Sequence, residues 1–205
     1  VTHFDDVNVT KLFELRNREK GDAEMKGIKL TFLPYVVKAV VEALKQHPAL
    51  NASLEDESQT IIIKKYYNIG IAVDTESGLM VPVVKGADQK SILDIAKESN
   101  ELAEKCRSRT IDLMDLRGGS FTITNIGSLG GIHATPIINY PEVAILMTGK
   151  MYDVLALDVD KLKVKKIMPL SLSFDHRVID GADAARFVNT LKDYLENPEK
   201  LVEKN

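Results

Sequence analysis

The stretch from Leu170 to Ala182 passes from a strand pattern to a helix pattern within a few residues. Apolar residues alternate with serines up to Phe174, which is the period of a half-buried strand. His176 follows two residues later, Asp180 comes four residues after it, and a helical pattern begins next. A strand must therefore lead into a helix through a short turn. That turn holds a histidine at a strand end with a carboxylate nearby, a placement suited to acid–base chemistry.

A histidine followed by an aspartate at the fourth position is weak evidence when it stands alone. The chain has four histidines and 16 aspartates in 205 residues. Such a pair then arises by chance in roughly a third of chains of this composition. Asp180 also has a purely structural role open to it, as the N-cap of the following helix. Spacing by itself therefore favours a structural interpretation, and the catalytic one depends on the longer string.

The string around His176 reads Ser-x-Ser-Phe-Asp-His-Arg-Val-Ile-Asp-Gly-Ala and resembles the active-site signature of the dihydrolipoamide acyltransferases. These proteins are the catalytic cores of the 2-oxo-acid dehydrogenase complexes. Chloramphenicol acetyltransferase is a more distant relative with a similar His-x-x-x-Asp. Other strings similar to that core occur in the same order along the chain, namely Gly27–Thr31, Pro48–Ala52, Asn68–Asp74, Gly78–Val83, Gly119–Gly127 and Pro141–Leu146.

The resemblance covers essentially the whole chain and implies its fold. It implies an α/β domain, a two-layer sandwich with a mixed β-sheet like that of chloramphenicol acetyltransferase. Residues 1–205 would form a single acyltransferase catalytic core domain, excised from the lipoyl and peripheral-subunit-binding domains of the family. Strand and helix patterns that are mixed rather than strictly alternating independently favour a mixed or antiparallel sheet with helices on one face.

The resemblance also implies partners. The family assembles as homotrimers that build a hollow cubic or dodecahedral core, with the active site between neighbouring subunits. Dehydrogenase and dihydrolipoamide dehydrogenase components would attach through the absent domains. Family members often end in an apolar residue that docks into a neighbouring trimer, whereas this chain ends in the polar Glu203–Asn205. That ending weakens the expectation of a core larger than the trimer.

The chemistry implied by the resemblance is acyl transfer between the thiols of dihydrolipoamide and coenzyme A. A free thiol has a pKa of about 8.5 and is mostly protonated at pH 7, so the attacking thiol needs a base. The match assigns that role to His176 of one subunit. Asp180 would orient it through an ion pair with Arg16. Thr124 of the next subunit stands where the family usually has serine, and its hydroxyl would donate to the oxyanion.

Five residues match positions that bind coenzyme A in the family. They are Arg16, Thr31, Asp74, Asn125 and Gly149, the last through its backbone. Structural alternatives remain for several of them, because Arg16 could be a solvated helix residue and Asp74 and Asn125 could cap turns. The lipoyl group would be carried on a domain outside this chain, and no metal site is expected.

Charge and cysteine content limit the remaining classes of function. A net charge of −3 gives no reason to expect nucleic acid or an anionic membrane surface as a partner. No apolar run reaches the length of a membrane span, and the N-terminus lacks a signal-peptide pattern. The single cysteine, Cys106, cannot form an internal disulfide and is expected at or near the surface of a charged helix. These features favour a reducing compartment, either cytoplasm or mitochondrial matrix.

Three functional interpretations stay open. The first is a lipoamide-dependent acyltransferase of branched-chain or acetyl type, with the succinyl type disfavoured by Pro141–Val143. The second is an O-acetyltransferase like chloramphenicol acetyltransferase. The third is a scaffold that keeps the fold only to build a shell, which an intact His176, Asp180 and Thr124 hydroxyl disfavour.

Apolar periodicity and turn residues predict the main elements. Helices are expected from about Val9, broken at Gly21-Asp22, and then over Thr31–Gln46, Ser91–Arg109 and Asp180–Leu195. The β-branched apolar stripe of the second of these indicates deep burial, and Ser91 with Asp94 forms a capping-box pattern at the start of the third. In Ser120–Asn125, Phe121 and Ile123 should point inward and Thr122 and Thr124 outward. Pro82 predicts an edge strand or a bulge. A hairpin is expected around Asp158-Val159-Asp160.

Overall fold

The computed structural model describes residues 1–158 and 161–202. Its helices are α1 (Thr10–Met25), α2 (Leu33–Gln46), α3 (Ile92–Arg107), α4 (Gly181–Glu196) and the short α5 (Glu199–Val202). Its strands are β1 (Thr2–Asn8), β2 (Ala52–Glu55), β3 (Thr60–Ile63), β4 (Ile69–Ile71), β5 (Val73–Thr75), β6 (Gly78–Met80), β7 (Val83–Val84), β8 (Phe121–Asn125), β9 (Ala144–Thr148), β10 (Tyr152–Asp158) and β11 (Lys161–Phe174).

The main sheet has the strand order β1-β11-β9-β8-β4-β7, and β10 pairs with the first half of β11. The β4–β8 and β8–β9 pairs are parallel and the other pairs are antiparallel. The predicted mixed sheet is therefore confirmed. The strand that follows Pro82 lies at the sheet edge, as the proline predicted.

Helix α2 lies at the centre of the helical layer. Every residue from Pro34 to Leu44 is buried, and the helix packs against α3 and α4. Its β-branched stripe predicted this deep burial, which is confirmed. The one lysine in that run, Lys38, stays hydrogen-bonded because its Nζ donates to the carbonyl oxygen of Lys90 at 2.7 Å.

Two helices, α3 and α4, begin at the predicted capping residues. Ser91 and Asp94 form a reciprocal capping box at the start of α3. Asp180 accepts a hydrogen bond from the amide of Asp183 and caps α4. The predicted break at Gly21 is wrong, because α1 continues through it to Met25. An exposed glycine weakens a helix without ending it.

Several side chains are more buried than alternation predicted. Ser171 and Ser173 are 0% and 3% exposed, and Thr122, expected to point outward, is 1% exposed. The reason lies in contacts with distant segments, since Thr122 donates to the buried Glu142 at 2.6 Å and Ser173 Oγ lies 2.8 Å from Thr2 Oγ1. Cys106, expected near the surface, is fully buried on the core side of α3.

The β10–β11 hairpin extends beyond the main sheet and exposes an apolar face. Leu155 pairs across the strands with Val164, and Leu157 pairs with Leu162, so all four side chains share one face. The three leucines are more than 70% exposed. The predicted turn residues 159–160 and the polar C-terminus 203–205 lie outside the described residues. Within the described chain, no helix is both long and apolar enough to cross a membrane.

Candidate active site

His176 lies in a tight turn at the C-terminal end of β11. The amide of Asp175 donates to the carbonyl oxygen of Val143 at 2.9 Å, which extends the β9–β11 ladder by one residue. The amides of Val178 and Ile179 then both donate to the carbonyl oxygen of Asp175 at 3.0 Å. This turn presents the imidazole to solvent, with its ring centre 5.9 Å from that of Phe174. The exposed ring can reach a ligand outside the fold.

Asp180 stands at the start of α4, where it serves the structural role that its sequence position allowed. Its Oδ1 accepts the amide of Asp183 at 2.8 Å. Backbone hydrogen bonds, chiefly from Asp183, lower the pKa of the Asp180 carboxyl. The group therefore stays ionised near neutral pH, and its negative charge lies near His176.

Within one chain, Arg16 makes contacts other than the expected ion pair with Asp180. Its Nε donates to the carbonyl oxygen of Leu30 at 3.0 Å, and its Nη1 donates to Asn17 at 3.1 Å. The guanidinium lies 5.2 Å from the ring centre of Phe32. These contacts tie α1 to the segment before α2, and the pairing of Arg16 with Asp180 stays a prediction.

A cavity of about 850 Å³ opens at the C-terminal ends of β8 and β9. Four of the five residues predicted to bind coenzyme A line it, namely Thr31, Asp74, Asn125 and Gly149. Arg16 does not line this cavity but contacts Phe32, which does. Asn125 also caps the turn after β8, where its Oδ1 accepts the amide of Gly127 at 2.9 Å. Residues far apart in sequence thus converge on one cavity.

Two of the three residues expected to catalyse the reaction, His176 and Thr124, lie at opposite ends of the sheet. Thr124 is level with Met147 on β9, whereas Asp175, the residue before His176, bonds to Val143. Four residues of strand separate those two positions, which is about 13 Å. A single chain therefore does not bring the imidazole and the threonine hydroxyl to one reacting atom.

Glu142 is a buried acid beside the catalytic turn whose burial sequence reasoning missed. It is 7% exposed, and it accepts a hydrogen bond from Thr122 Oγ1 at 2.6 Å. Burial raises its pKa to about 7, although the Thr122 bond and the charge of Lys64 oppose that rise. The next residue, Val143, bonds to Asp175. The burial of Glu142 could not be predicted from local sequence, because it depends on strands distant along the chain.

Residues 1–203 match the model of the family described as 2-oxoacid dehydrogenases acyltransferase (catalytic domain). The chain belongs to this family. No group of three or more histidine, cysteine, aspartate or glutamate side chains in residues 1–158 and 161–202 could hold a metal ion in this acyltransferase domain.

Several individual proteins are similar to this acyltransferase domain. The acetyltransferase component of the pyruvate dehydrogenase complex of Bacillus subtilis is 48% identical over 202 residues, which are 98% of this chain and 46% of that protein. The chain thus spans about half the length of the curated relatives it matches. The dihydrolipoamide acetyltransferase of Azotobacter vinelandii has a TM-score of 0.94 at 44% identity, covering 98% of this chain and 83% of that one. The cubic core of a pyruvate dehydrogenase multienzyme complex gives the same values.

The fold is shared with a protein of much lower sequence identity. Chloramphenicol acetyltransferase matches with a TM-score of 0.63 at 13% identity, over 95% of this chain and 87% of that one. At that identity the likeness concerns the fold alone. The prediction of a two-layer α/β sandwich like that of chloramphenicol acetyltransferase is therefore confirmed for the acyltransferase domain.

Glu142 gives the acyltransferase domain a testable pH dependence. Its pKa rises from 4.5 to about 7 on folding, so the folded state holds more protons between those values. The contribution of Glu142 to stability is then fully present below pH 4.5 and is lost as the pH rises through that window, by at most about 3 kcal/mol. Urea unfolding at pH 5 and pH 8 should show a smaller loss for Glu142→Gln than for the wild type. Glu76→Gln, in an exposed turn, is the control, and equal losses in all three proteins would contradict the assignment.

Gly149 is expected to tolerate no side chain in the cavity wall. A Cβ there would overlap the carbonyl oxygen of Ile132 and lie 2.9 Å from its carbonyl carbon and 3.1 Å from Pro169 Cβ. Gly149→Ala should therefore destabilise the domain by about 1–3 kcal/mol in denaturant unfolding. Gly21→Ala is the matched control, because a Cβ in that helix meets nothing within 4 Å. A Gly149→Ala variant as stable as Gly21→Ala would show that the wall can yield.

Proposed function

We propose that this domain transfers an acyl group between dihydrolipoamide and coenzyme A as the catalytic core of a 2-oxo-acid dehydrogenase complex. One observation carries the proposal. In the Azotobacter vinelandii enzyme, a serine, a histidine and an asparagine were investigated for roles in the catalytic mechanism. The serine stands 52 residues before the histidine, and the asparagine stands four residues after it. Thr124 and Asp180 stand at the same offsets from His176. Threonine keeps the hydroxyl, and aspartate keeps a polar group of similar shape.

The site can perform this transfer with its own groups. Neutral His176 takes the proton from the attacking thiol as its sulfur bonds to the thioester carbonyl carbon. The Thr124 hydroxyl donates to the oxyanion that forms, a contribution of about 3 kcal/mol for one such donor. When the intermediate collapses, the carbon–sulfur bond to the first thiol breaks and His176 returns the proton to it. Asp180 stabilises the imidazolium by its charge during this exchange.

The cavity suits coenzyme A as a substrate. Its volume lies in the range of about 300–1,000 Å³ typical of ligand pockets. Ser99 lines the cavity, and its Oγ is buried without a hydrogen-bond partner. A polar ligand would satisfy that orphaned hydroxyl. Lys29 and Arg107 also line the wall and supply positive charge for phosphate groups. Thr31, Asp74, Asn125 and the backbone of Gly149 would hold the rest of the ligand.

The proposed mechanism needs a second copy of the chain. His176 and Thr124 lie about 13 Å apart along the sheet, so a neighbour must supply one of them. We propose a homotrimer, assembling into a larger core such as the cubic one of the similar complex. Its dehydrogenase and dihydrolipoamide dehydrogenase components would bind through other domains. The exposed apolar face of the β10–β11 hairpin supports assembly, since isolated chains rarely expose such surface.

Two further elements belong to the proposal. The lipoyl group is carried on a domain outside these 205 residues and enters as the thiol substrate. The compartment is a reducing one, cytoplasm or mitochondrial matrix, where both thiol substrates stay reduced.

The proposal is tested by an assay with dihydrolipoamide and three donors, acetyl-, isobutyryl- and succinyl-coenzyme A. Turnover supports the proposal, and the donor with the highest kcat/KM identifies the acyl group. A parallel reaction with chloramphenicol as acceptor tests the O-acetyltransferase alternative. A large particle that turns over none of the donors would favour the scaffold alternative and contradict the proposal.

A further inference from the structure

Arg177 is the residue directly after His176, and its side chain folds back onto the residue directly before it. Its backbone amide donates to Asp175 Oδ1 at 2.9 Å. Its Nε lies 3.1 and 3.2 Å from the two carboxylate oxygens, and its Nη2 donates to Oδ2 at 2.7 Å. The residues directly before and after His176 are therefore linked by three N–H donors of Arg177, all bound to the Asp175 carboxylate.

The same guanidinium reaches a distant part of the chain. Its Nη1 donates to Asp56 Oδ1 at 2.7 Å, across 121 residues of sequence. Asp56 lies in the turn between β2 and β3, a separate two-stranded ribbon. That ribbon is fixed to the core near Glu142 by a bridge from Ser53. The turn that carries His176 is thus attached to two anchors, the end of β11 and the tip of this ribbon.

We propose that Asp56, Arg177 and Asp175 form a clamp that positions His176 for proton transfer. The inference deepens the proposed function and depends on it. A general base works only within hydrogen-bond reach of its proton, and a misplacement of 1 Å can cost about a hundred-fold in rate. A short exposed turn gains that precision from a planar guanidinium that binds two carboxylates at once. Arg177 and Asp56 are therefore positioning residues, since they act through His176.

The clamp makes a prediction that simple electrostatics does not. Arg177→Gln removes a positive charge near the imidazole, and Asp56→Asn removes a negative one. If these groups acted only through charge, the two variants would move activity in opposite directions. If they position the turn, both variants lower kcat. We expect about a 10- to 100-fold loss for Arg177→Gln and a smaller loss for Asp56→Asn.

The experiment measures kcat and KM of the assembled domain with its best acyl donor, together with the thermal midpoint. The KM values should stay within about two-fold of wild type. The midpoint should change little, because exposed ion pairs stabilise weakly. The variant with both substitutions should be no slower than Arg177→Gln, since both act in one unit. Arg177→Lys should recover part of kcat, because an ammonium can still pair with the carboxylates but lacks the planar geometry of the guanidinium. Glu57→Gln, the next residue in the same turn, is the matched control and should behave as wild type.

Three results would overturn the clamp while leaving the proposed function intact. They are an unchanged kcat in Arg177→Gln, opposite changes in the two single variants, or losses that multiply in the double variant. A wild-type domain that turns over no donor would instead contradict the proposed function. In that case a crystal structure of Arg177→Gln decides, because a His176 turn superimposable on that of the wild type would overturn the clamp.

Discussion

Replacing His176 by asparagine is expected to lower kcat by about a hundred-fold or more with every acyl donor. Asparagine keeps a polar side chain of similar reach but cannot accept and return the thiol proton at neutral pH. The KM for coenzyme A should change little, since His176 does not line the cavity proposed to hold that substrate. Steady-state kinetics of the assembled wild type and variant check both values.

The control for this variant is His47→Asn. His47 caps the C-terminal end of α2 and bonds Thr190 Oγ1 at 2.8 Å, away from the catalytic turn. It should keep wild-type kcat. A His176→Asn variant that forms the same particle and keeps wild-type turnover would remove the general base from the mechanism. The acyl transfer would then need another proton acceptor.

The inactive variants His176→Asn and Thr124→Ala are expected to restore activity when they assemble together. Thr124→Ala should lose about a hundred-fold or more in kcat, because it removes the proposed oxyanion donor. The strand register places Thr124 and His176 at opposite ends of one chain's sheet. A site between copies can therefore combine an intact His176 from one chain with an intact Thr124 from the next. Random trimers of equal amounts of the two variants should reach about a quarter of wild-type activity.

Co-expression of the two chains and assay of the purified particles would measure this recovery. The matched control is wild type co-assembled in equal amount with a chain that carries both substitutions. A site shared between chains gives about a quarter of wild-type activity there as well, whereas a site within one chain gives about one half. If the mixed variants stay as inactive as either parent while the control reaches one half, the shared site is wrong.

Local sequence was sufficient for the elements that local physics determines. The apolar stripe of α2 predicted a buried helix, and the Ser91–Asp94 pair predicted the start of α3. Asp180 was placed correctly as an N-cap, because a cap depends only on the next three residues. The convergence of Thr31 and Asn125 on one cavity came from the family resemblance, since no local pattern reports which distant segments meet.

What sequence reasoning missed depends on contacts between distant segments. Thr122 was expected to face outward, but Glu142 accepts its hydroxyl bond inside the fold. The contact between Arg177 and Asp56 spans 121 residues and leaves no mark in the spacing of either neighbourhood. The contacts of Arg16 with Leu30 and Phe32 were missed for the same reason. A charged residue's partner is decided by packing, and the sequence alone offers many candidates.

Cys106 has a consequence for the redox behaviour of the whole assembly. Its side chain is fully buried in α3, and burial raises the pKa of its thiol. Disulfide exchange requires an accessible thiolate, so this cysteine is protected twice over. Cys106 is therefore not expected to form mixed disulfides with the two proposed thiol substrates. If oxidation lowers activity, the oxidised species should be the thiol substrates and not the protein. Fresh reductant should then restore activity without repair of the protein.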